Sequence, residues 1–144
     1  MNWSQPKVYA VKHKDEEIRA ASRSGGIFTA LSDLILDDGG IVYGCVLTED
    51  FTAVHIRAEN VAERNRMRGS KYIQSKLGDT FKNVQKDLDT GRSVLFSGTS
   101  CQVAGLKQFL REEYTNLFCV DIVCHGVPST AVWKSYLHWQ EQKN

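Results

Sequence analysis

The chain has 144 residues, of which 42% are hydrophobic and 24% charged, and its formal net charge is +1. This balance gives no global electrostatic basis for binding nucleic acid or an anionic membrane surface, and no apolar run is long enough for a membrane span. Four cysteines without a secretory signal indicate thiols or metal ligands rather than disulfides, so we expect a cytoplasmic protein.

The first part of the chain is predicted to contain short elements around a glycine pair. Residues 7–11 alternate as in a short strand, and residues 15–21 form a brief helix with acidic residues at its start. Ser24, Gly25 and Gly26 then open a second helix, with Ser24 as its N-cap. The apolar stripe of this helix is Ile27, Leu31, Leu34 and Ile35. Paired glycines at a helix start let a phosphate approach the backbone, although a plain capped turn has the same pattern.

The middle of the chain is predicted to form a β-hairpin, two helices and a polar loop. Residues 41–48 and 52–58 are strands joined by a short acidic turn. Residues 61–68 form a polar helix, and residues 69–75 form a polar loop or short strand. Another amphipathic helix lies between about residues 79 and 91.

Two strand–helix units follow, and each carries a cysteine where its strand ends. The apolar residues 94–96 lead through small polar residues into a helix whose first turn contains Cys101. Residues 117–123 form the next strand and lead to Cys124. Since strand–helix–strand connections are right-handed and pair the strands in parallel, both cysteines are expected at the sheet edge where ligands bind. The predicted fold class is therefore α/β, a mixed sheet with parallel strand–helix–strand units flanked by helices.

Cys101 and Cys124 are the main candidates for chemistry. The free N–H groups at a helix start favour an anion such as a thiolate, which attacks electrophiles or binds metal. Cys45 and Cys119 lie within predicted strands and are interpreted as core residues. His125 could orient a ligand, act as a base or bond the backbone of a turn. With His125, the two cysteines give at most three ligands, so a structural zinc site is not favoured.

The last helix, from about Thr130, carries a large apolar face. This face consists of Trp133, Tyr136, Leu137 and Trp139. Three interpretations are open: the face packs back on the sheet, it meets a partner, or it is covered by chain beyond residue 144. We favour the last interpretation, in which the sequence is truncated.

Four blocks in the same order resemble the beta-subunit family of coenzyme F420 hydrogenases and dehydrogenases, which are electron carriers with flavin and iron–sulfur groups. The blocks are SRSGGIFTAL at 22–31, GSKYIQS at 69–75, GTSCQVAGL at 98–106 and VDIVCHGVPS at 120–129. The resemblance implies an N-terminal family domain over residues 1–68. It also implies the truncated start of a C-terminal domain over residues 69–144.

The resemblance implies that Cys101 and Cys124 are ligands of a 4Fe–4S cluster. It also implies that FAD lies against the glycine pair and the polar loop. The FAD-binding residues would be Ser24, Gly25, Gly26, Ser70, Lys71 and Tyr72. Such a cluster usually needs four thiolates, whereas the family's downstream C-x-x-C pair is absent from this sequence. Ser100 stands where the family commonly has Pro.

The expected function is therefore that of a fragment of an oxidoreductase, inactive by itself, that moves electrons between a 4Fe–4S cluster, FAD and a soluble acceptor such as coenzyme F420. Its partner would be a redox subunit or a ferredoxin-like donor. Two alternatives stay open. One is a cysteine-nucleophile enzyme that uses Cys101 with His125 as base. The other is a non-catalytic module whose last helix docks a partner or a second copy of the chain.

Overall fold

A computed structural model gives the fold of residues 5–143. The elements in chain order are α1 (Glu16–Ser22), α2 (Ile27–Asp37), β1 (Ile41–Leu47), β2 (Ala53–Ala58), α3 (Val61–Asn65), α4 (Thr80–Asp89), β3 (Val94–Thr99), α5 (Ser100–Leu110), β4 (Leu117–Ile122) and α6 (Thr130–Glu141). Helices combined with a mixed sheet confirm the predicted α/β class. Between residues 5 and 143, every helix is too short or too polar to cross a bilayer.

The sheet has four strands in the order β2-β1-β3-β4. β1 and β2 form the predicted antiparallel hairpin, while β1–β3 and β3–β4 are parallel pairs. In the last pair, Thr99 lies opposite Ile122. The connection through α5 therefore delivers the ends of β3 and β4 to neighbouring places on one edge of the sheet.

The central strands are covered on both faces, as their continuous apolar runs predict. One core cluster gathers alternate residues of β1 and β3 with those of α4 and α5: Ile41, Tyr43, Val84, Leu88, Val94, Phe96, Val103, Leu106 and Leu110. The cluster on the opposite face contains Ile35, Val42, Val46, Ala58, Met67 and Leu95. The molecule therefore has three layers, with the sheet in the middle.

The predicted strand at residues 7–11 is wrong. This segment is extended, but Val8 is 90% exposed and Tyr9 is 72% exposed, and the four-stranded sheet does not include it. It is attached further along, where the backbone N–H of His13 donates to the carbonyl of Gly25 over 2.7 Å. An alternating pattern without a neighbouring strand has nothing to pair with.

Helix α2 differs from the prediction in its cap and in its buried face. Gly26, not Ser24, occupies the N-cap position, and no side chain caps this helix start. Leu31 and Leu34 of the predicted inner stripe are exposed. The residues that α2 buries are Thr29, Ser32 and Ile35. Two polar residues are therefore buried in place of two leucines.

Helix α3 is shorter than predicted. It ends at Asn65 rather than near residue 68. The chain then places Met67 against the sheet, where its sulfur would lie 2.8 Å from a Cβ added to Gly44. Residues 69–75 form a loop, one of the two alternatives that their polar composition left open.

Candidate functional site

All four sequence blocks meet at the carboxyl edge of the parallel strands. α2 connects to β1 through residues 38–40 alone and runs back along it, so the start of α2 lies toward this edge. The loop over residues 69–76 reaches the same edge, because Lys76 donates its backbone N–H to Ala53 at the start of antiparallel β2. The ends of β3 and β4 complete the arrangement. Ligands of open α/β folds bind at this edge.

Cys101 lies in the first turn of α5, as predicted. Thr99 is the N-cap, and a capping box links it to Gln102. The Cys101 side chain is exposed, and its sulfur lies 3.2 Å from the hydroxyl oxygen of Thr99. The capping box thus fixes the backbone that presents this thiol to solvent.

Cys124 occupies the equivalent place after β4. Cys101 is two residues beyond Thr99, and Cys124 is two residues beyond Ile122, which is the register partner of Thr99. Cys124 is exposed, and its sulfur accepts the backbone N–H of Gly126 over 3.3 Å. The topology therefore brings both thiols to neighbouring strand ends, while their joint binding of one cluster stays a prediction.

A polar contact ties the two strand ends together. The hydroxyl of Ser100, next to Cys101, donates to the Asp121 carboxylate over 2.9 Å. Asp121 belongs to β4, three residues before Cys124. This bond links the start of α5 directly to the strand that leads to the second cysteine.

The donor set fits half of an iron–sulfur cage. Two exposed thiols are suitable soft ligands for iron. Within residues 5–143, no group of three or more His, Cys, Asp or Glu side chains could hold a metal ion. The described part of the chain therefore offers two of the four thiolates that a 4Fe–4S cluster usually takes.

The glycine pair has an explanation within the chain itself. Gly26 has a φ of +77°, and a Cβ added there would lie 2.9 Å from the Cβ of His13. A Cβ added to Gly25 would lie 3.2 Å from the carbonyl oxygen of Val11. The glycines thus let residues 11–13 cross the start of α2. Ser24 is exposed beside them, and a role for these three residues in binding FAD stays a prediction.

The polar loop offers an aromatic ring and a partly used ammonium group. Tyr72 is 82% exposed and Ser70 is exposed, so both are accessible to a ligand. Lys71 donates to the carbonyls of Met67 (2.7 Å) and Arg68 (3.0 Å). Burial lowers the pKa of Lys71. An ammonium group has three hydrogens, so one remains for a ligand after these two bonds.

A contact between the loop and α5 was not predicted. The side-chain amide of Gln102 donates to the hydroxyl oxygen of Ser75 over 2.7 Å. Half-buried Cys45 of β1 also faces this region, and burial raises the pKa of its thiol. The capping pattern of Thr99 and Gln102 was visible in the sequence, but its link to Ser75 was not.

The structure agrees with the prediction for Cys119 but does not support a catalytic pair of Cys101 and His125. Cys119 packs against the core, as predicted, and burial raises the pKa of its thiol. His125 is exposed, and among the described residues no hydrogen bond joins it to Cys101. The structure therefore gives no geometric support for a cysteine–histidine pair.

Helix α6 packs back on the hairpin turn at one end. The indole N–H of Trp133 donates to the carbonyl of Phe51 over 2.9 Å. A cavity of about 160 Å³ lies beside this contact, between α6, the hairpin turn and the loop. Val132, Tyr136 and Trp139 are exposed. The segment over residues 123–129 therefore crosses the carboxyl edge and is held at its far end by α6.

Two family models match the chain. The model of the N-terminal part of coenzyme F420 hydrogenase/dehydrogenase beta subunits matches residues 8–82, and the model of their C terminus matches residues 91–144. A search of curated proteins finds no match.

A solved structure has a similar fold. It is a chain of the F420-reducing NiFe hydrogenase complex from Methanosarcina barkeri, studied after xenon derivatization. The TM-score is 0.66 and the sequence identity 22%, over 88% of this chain and 47% of that chain. The present chain thus spans about half the length of the chain that it matches. At this identity, the likeness supports the fold alone.

Proposed function

This chain belongs to the family of coenzyme F420 hydrogenase/dehydrogenase beta subunits, and from that premise we propose that it is part of an oxidoreductase that moves electrons between a 4Fe–4S cluster, FAD and a soluble acceptor such as coenzyme F420. A redox partner subunit or a ferredoxin-like protein would supply or receive the electrons. The chain would contribute an N-terminal domain over residues 1–68 and the start of a second domain over residues 69–144.

The observation that supports this proposal is the paired placement of Cys101 and Cys124. Both thiols are exposed, and each lies two residues beyond one of two strand ends that are register partners. Buried cysteines serve as small apolar residues, whereas two exposed ones at neighbouring strand ends have no packing role. When bound, an iron–sulfur cluster passes single electrons and a flavin also exchanges electron pairs.

The chain's own residues have distinct tasks in this proposal. Cys101 and Cys124 would hold the cluster, and the bond between Ser100 and Asp121 links the start of α5 to the strand that leads to Cys124. The remaining hydrogen of Lys71 would bond an anionic part of the flavin. The exposed ring of Tyr72 would stack on it.

The test of the cluster site is anaerobic reconstitution with ferrous iron, sulfide and dithiothreitol, which can supply the missing thiolates. The Cys101→Ser and Cys124→Ser variants should each lose most of the iron and sulfide that the wild-type chain binds. Cys119→Ser is the matched control. Cys119 packs against the core, so this variant should bind as much iron as the wild type. Equal iron content in all four proteins would overturn the cluster assignment.

The test of the flavin site is a titration with FAD, followed by flavin fluorescence. Tyr72→Ala should weaken binding by up to about tenfold, the equivalent of one aromatic stacking contact. Tyr9→Ala is the control, because Tyr9 is similarly exposed but lies outside the predicted site. Equal affinities of the two variants would remove Tyr72 from the site.

A further inference from the structure

The side chain of Gln102 is buried and uses both ends of its amide. It is 8% exposed. Its carbonyl oxygen accepts the backbone N–H of Thr99 over 3.1 Å, and its NH₂ group donates to the hydroxyl oxygen of Ser75 over 2.7 Å. The first bond belongs to the capping box at the start of α5. The second leaves α5 and reaches the loop over residues 69–76.

The space around this amide is closely fitted. A Cβ added to Gly98 would lie 3.1 Å from the Gln102 side-chain oxygen and 2.9 Å from Cε1 of Phe96. A larger residue at position 98 would therefore push the amide away from Thr99. Cys101 lies between Thr99 and Gln102, so the turn that carries its thiol is closed by this side chain.

We propose that Gln102 is a positioning residue that couples the loop over residues 69–76 to the turn carrying Cys101, with Ser75 as its contact in the loop. When the loop moves, Ser75 displaces the Gln102 amide, which weakens the hydrogen bond between Gln102 and the Thr99 N–H. The purpose of this coupling rests on the proposed function, in which the loop contacts the flavin and Cys101 binds the cluster. The coupling itself is a property of the chain alone.

A simple capping box gives a different expectation. If Gln102 acts only as a helix cap, the turn depends on Thr99 and Gln102 and is indifferent to Ser75. Ser75→Ala is therefore the diagnostic variant, because it leaves both capping residues in place. Ser75→Thr keeps a hydroxyl group and is the conservative rescue. Ser70→Ala is the matched control, because Ser70 is an exposed serine of the same loop.

The experiment uses the full chain without cofactors and has two readouts. One is hydrogen exchange of the Thr99 amide, and the other is the rate at which iodoacetamide alkylates Cys101. Ser75→Ala should raise both by about fivefold, the equivalent of one net hydrogen bond. Ser75→Thr and Ser70→Ala should stay within about twofold of the wild type, a change too small for a lost hydrogen bond.

A double-mutant cycle with Gln102→Met tests whether the two residues act through one bond. If they do, adding Ser75→Ala to Gln102→Met should cause little further change in either readout. Cys45→Ala is a further control, because the Cys45 side chain is the second neighbour of Ser75. If Gln102→Met does not fold, the Ser75 series decides alone. The proposal is overturned if Ser75→Ala behaves like Ser70→Ala or if Ser75→Thr behaves like Ser75→Ala. Failed cluster reconstitution would leave this result unchanged.

Discussion

Arg64 explains why the buried face of α2 could not be read from apolar spacing. This arginine is 1% exposed and donates to the Thr29 carbonyl (3.0 Å) and the Ser32 hydroxyl (2.7 Å). It also forms an ion pair with Asp33. A buried cation needs such acceptors, so α2 turns its polar side inward and leaves Leu31 exposed. Arginine usually indicates a surface position, and the sequence gives no sign of this exception.

Replacing Arg64 should therefore be costly. Arg64→Ala removes the donor for two buried oxygens and the partner of Asp33, so the free energy of unfolding should fall by about 3–5 kcal/mol. Arg66→Ala is the control, because Arg66 is exposed on the same segment and should change stability by less than about 0.5 kcal/mol. Urea denaturation measures both. Similar losses in the two variants would show that burial of Arg64 is energetically unimportant.

The carboxylate of Asp87 predicts how stability depends on pH. Burial acts to raise the pKa of Asp87, but hydrogen bonds from Arg57 (2.7 Å) and Tyr43 (2.5 Å) outweigh burial and hold it below its ordinary value. Because the folded pKa is depressed, this stabilisation is complete above the unfolded pKa of about 4 and is lost as the pH falls through the folded value. Arg57 also bonds Glu59. Hydrogen bonds from Arg57 and Arg92 lower the pKa of exposed Glu59 to about 2.

Asp87→Asn should therefore flatten the acid limb of the stability profile. At neutral pH the variant should be less stable by about 1–3 kcal/mol, because Arg57 and Tyr43 lose a charged acceptor. Below about pH 4 the difference from the wild type should shrink. Urea midpoints from neutral pH down to about pH 2 measure this, with exposed Asp38→Asn as control. A constant gap at every pH would contradict the assignment.

At the scale of elements, prediction succeeded where the determinants are local. Residues 94–106 carry an apolar strand, a small polar turn and a helical repeat in direct succession, and β3 and α5 form there. The prediction for the start of α2 failed because the residue that determines this start is not local. His13, thirteen residues upstream of Gly26, crosses the helix start that Ser24 was predicted to cap. Contacts of that kind depend on the tertiary path of the chain.

Gly26→Ala tests this explanation of the glycine pair. Two effects add at Gly26, a left-handed φ of +77° and a contact of 2.9 Å with the Cβ of His13. The unfolding free energy should therefore fall by about 2–4 kcal/mol. Gly39→Ala is the matched control, since Gly39 has a φ of +70° with nothing within 4 Å. It should cost only about 1–2 kcal/mol. Equal losses would mean that the crossing segment yields to the added methyl group and that the left-handed φ alone accounts for the cost at Gly26.

At the scale of the whole molecule, the right-handed crossover rule was sufficient to place both cysteines at one edge of the sheet. The rule uses only the order of strands and helices, which the sequence reveals. It could not predict the bond between Gln102 and Ser75, which joins residues 27 positions apart through a loop without periodicity. The candidate site is therefore predictable as a location, whereas the contacts that hold its parts together require the structure.

The attachment of α6 to the hairpin turn can be tested at Trp133. α6 buries none of its residues completely, so the bond from the Trp133 indole to the Phe51 carbonyl is a large share of its attachment. Trp133→Phe keeps an aromatic ring but removes the donor. Hydrogen exchange of the α6 backbone amides should then accelerate by about fivefold, as expected for one lost hydrogen bond. Exchange in β1 and β3 should stay unchanged.

Trp139→Phe is the control for this experiment, because Trp139 lies on the same helix but is 47% exposed, and its ring packs at a tilt against Tyr136 rather than against the hairpin. It should leave exchange of the α6 amides at the wild-type rate. If Trp133→Phe also leaves that rate unchanged, α6 is held by contacts other than this bond. If Trp133→Phe instead accelerates exchange in the central strands, α6 is part of the cooperative core. Either outcome would contradict local attachment through Trp133, whereas the expected one shows that α6, which follows the segment carrying Cys124, is anchored through the turn between β1 and β2.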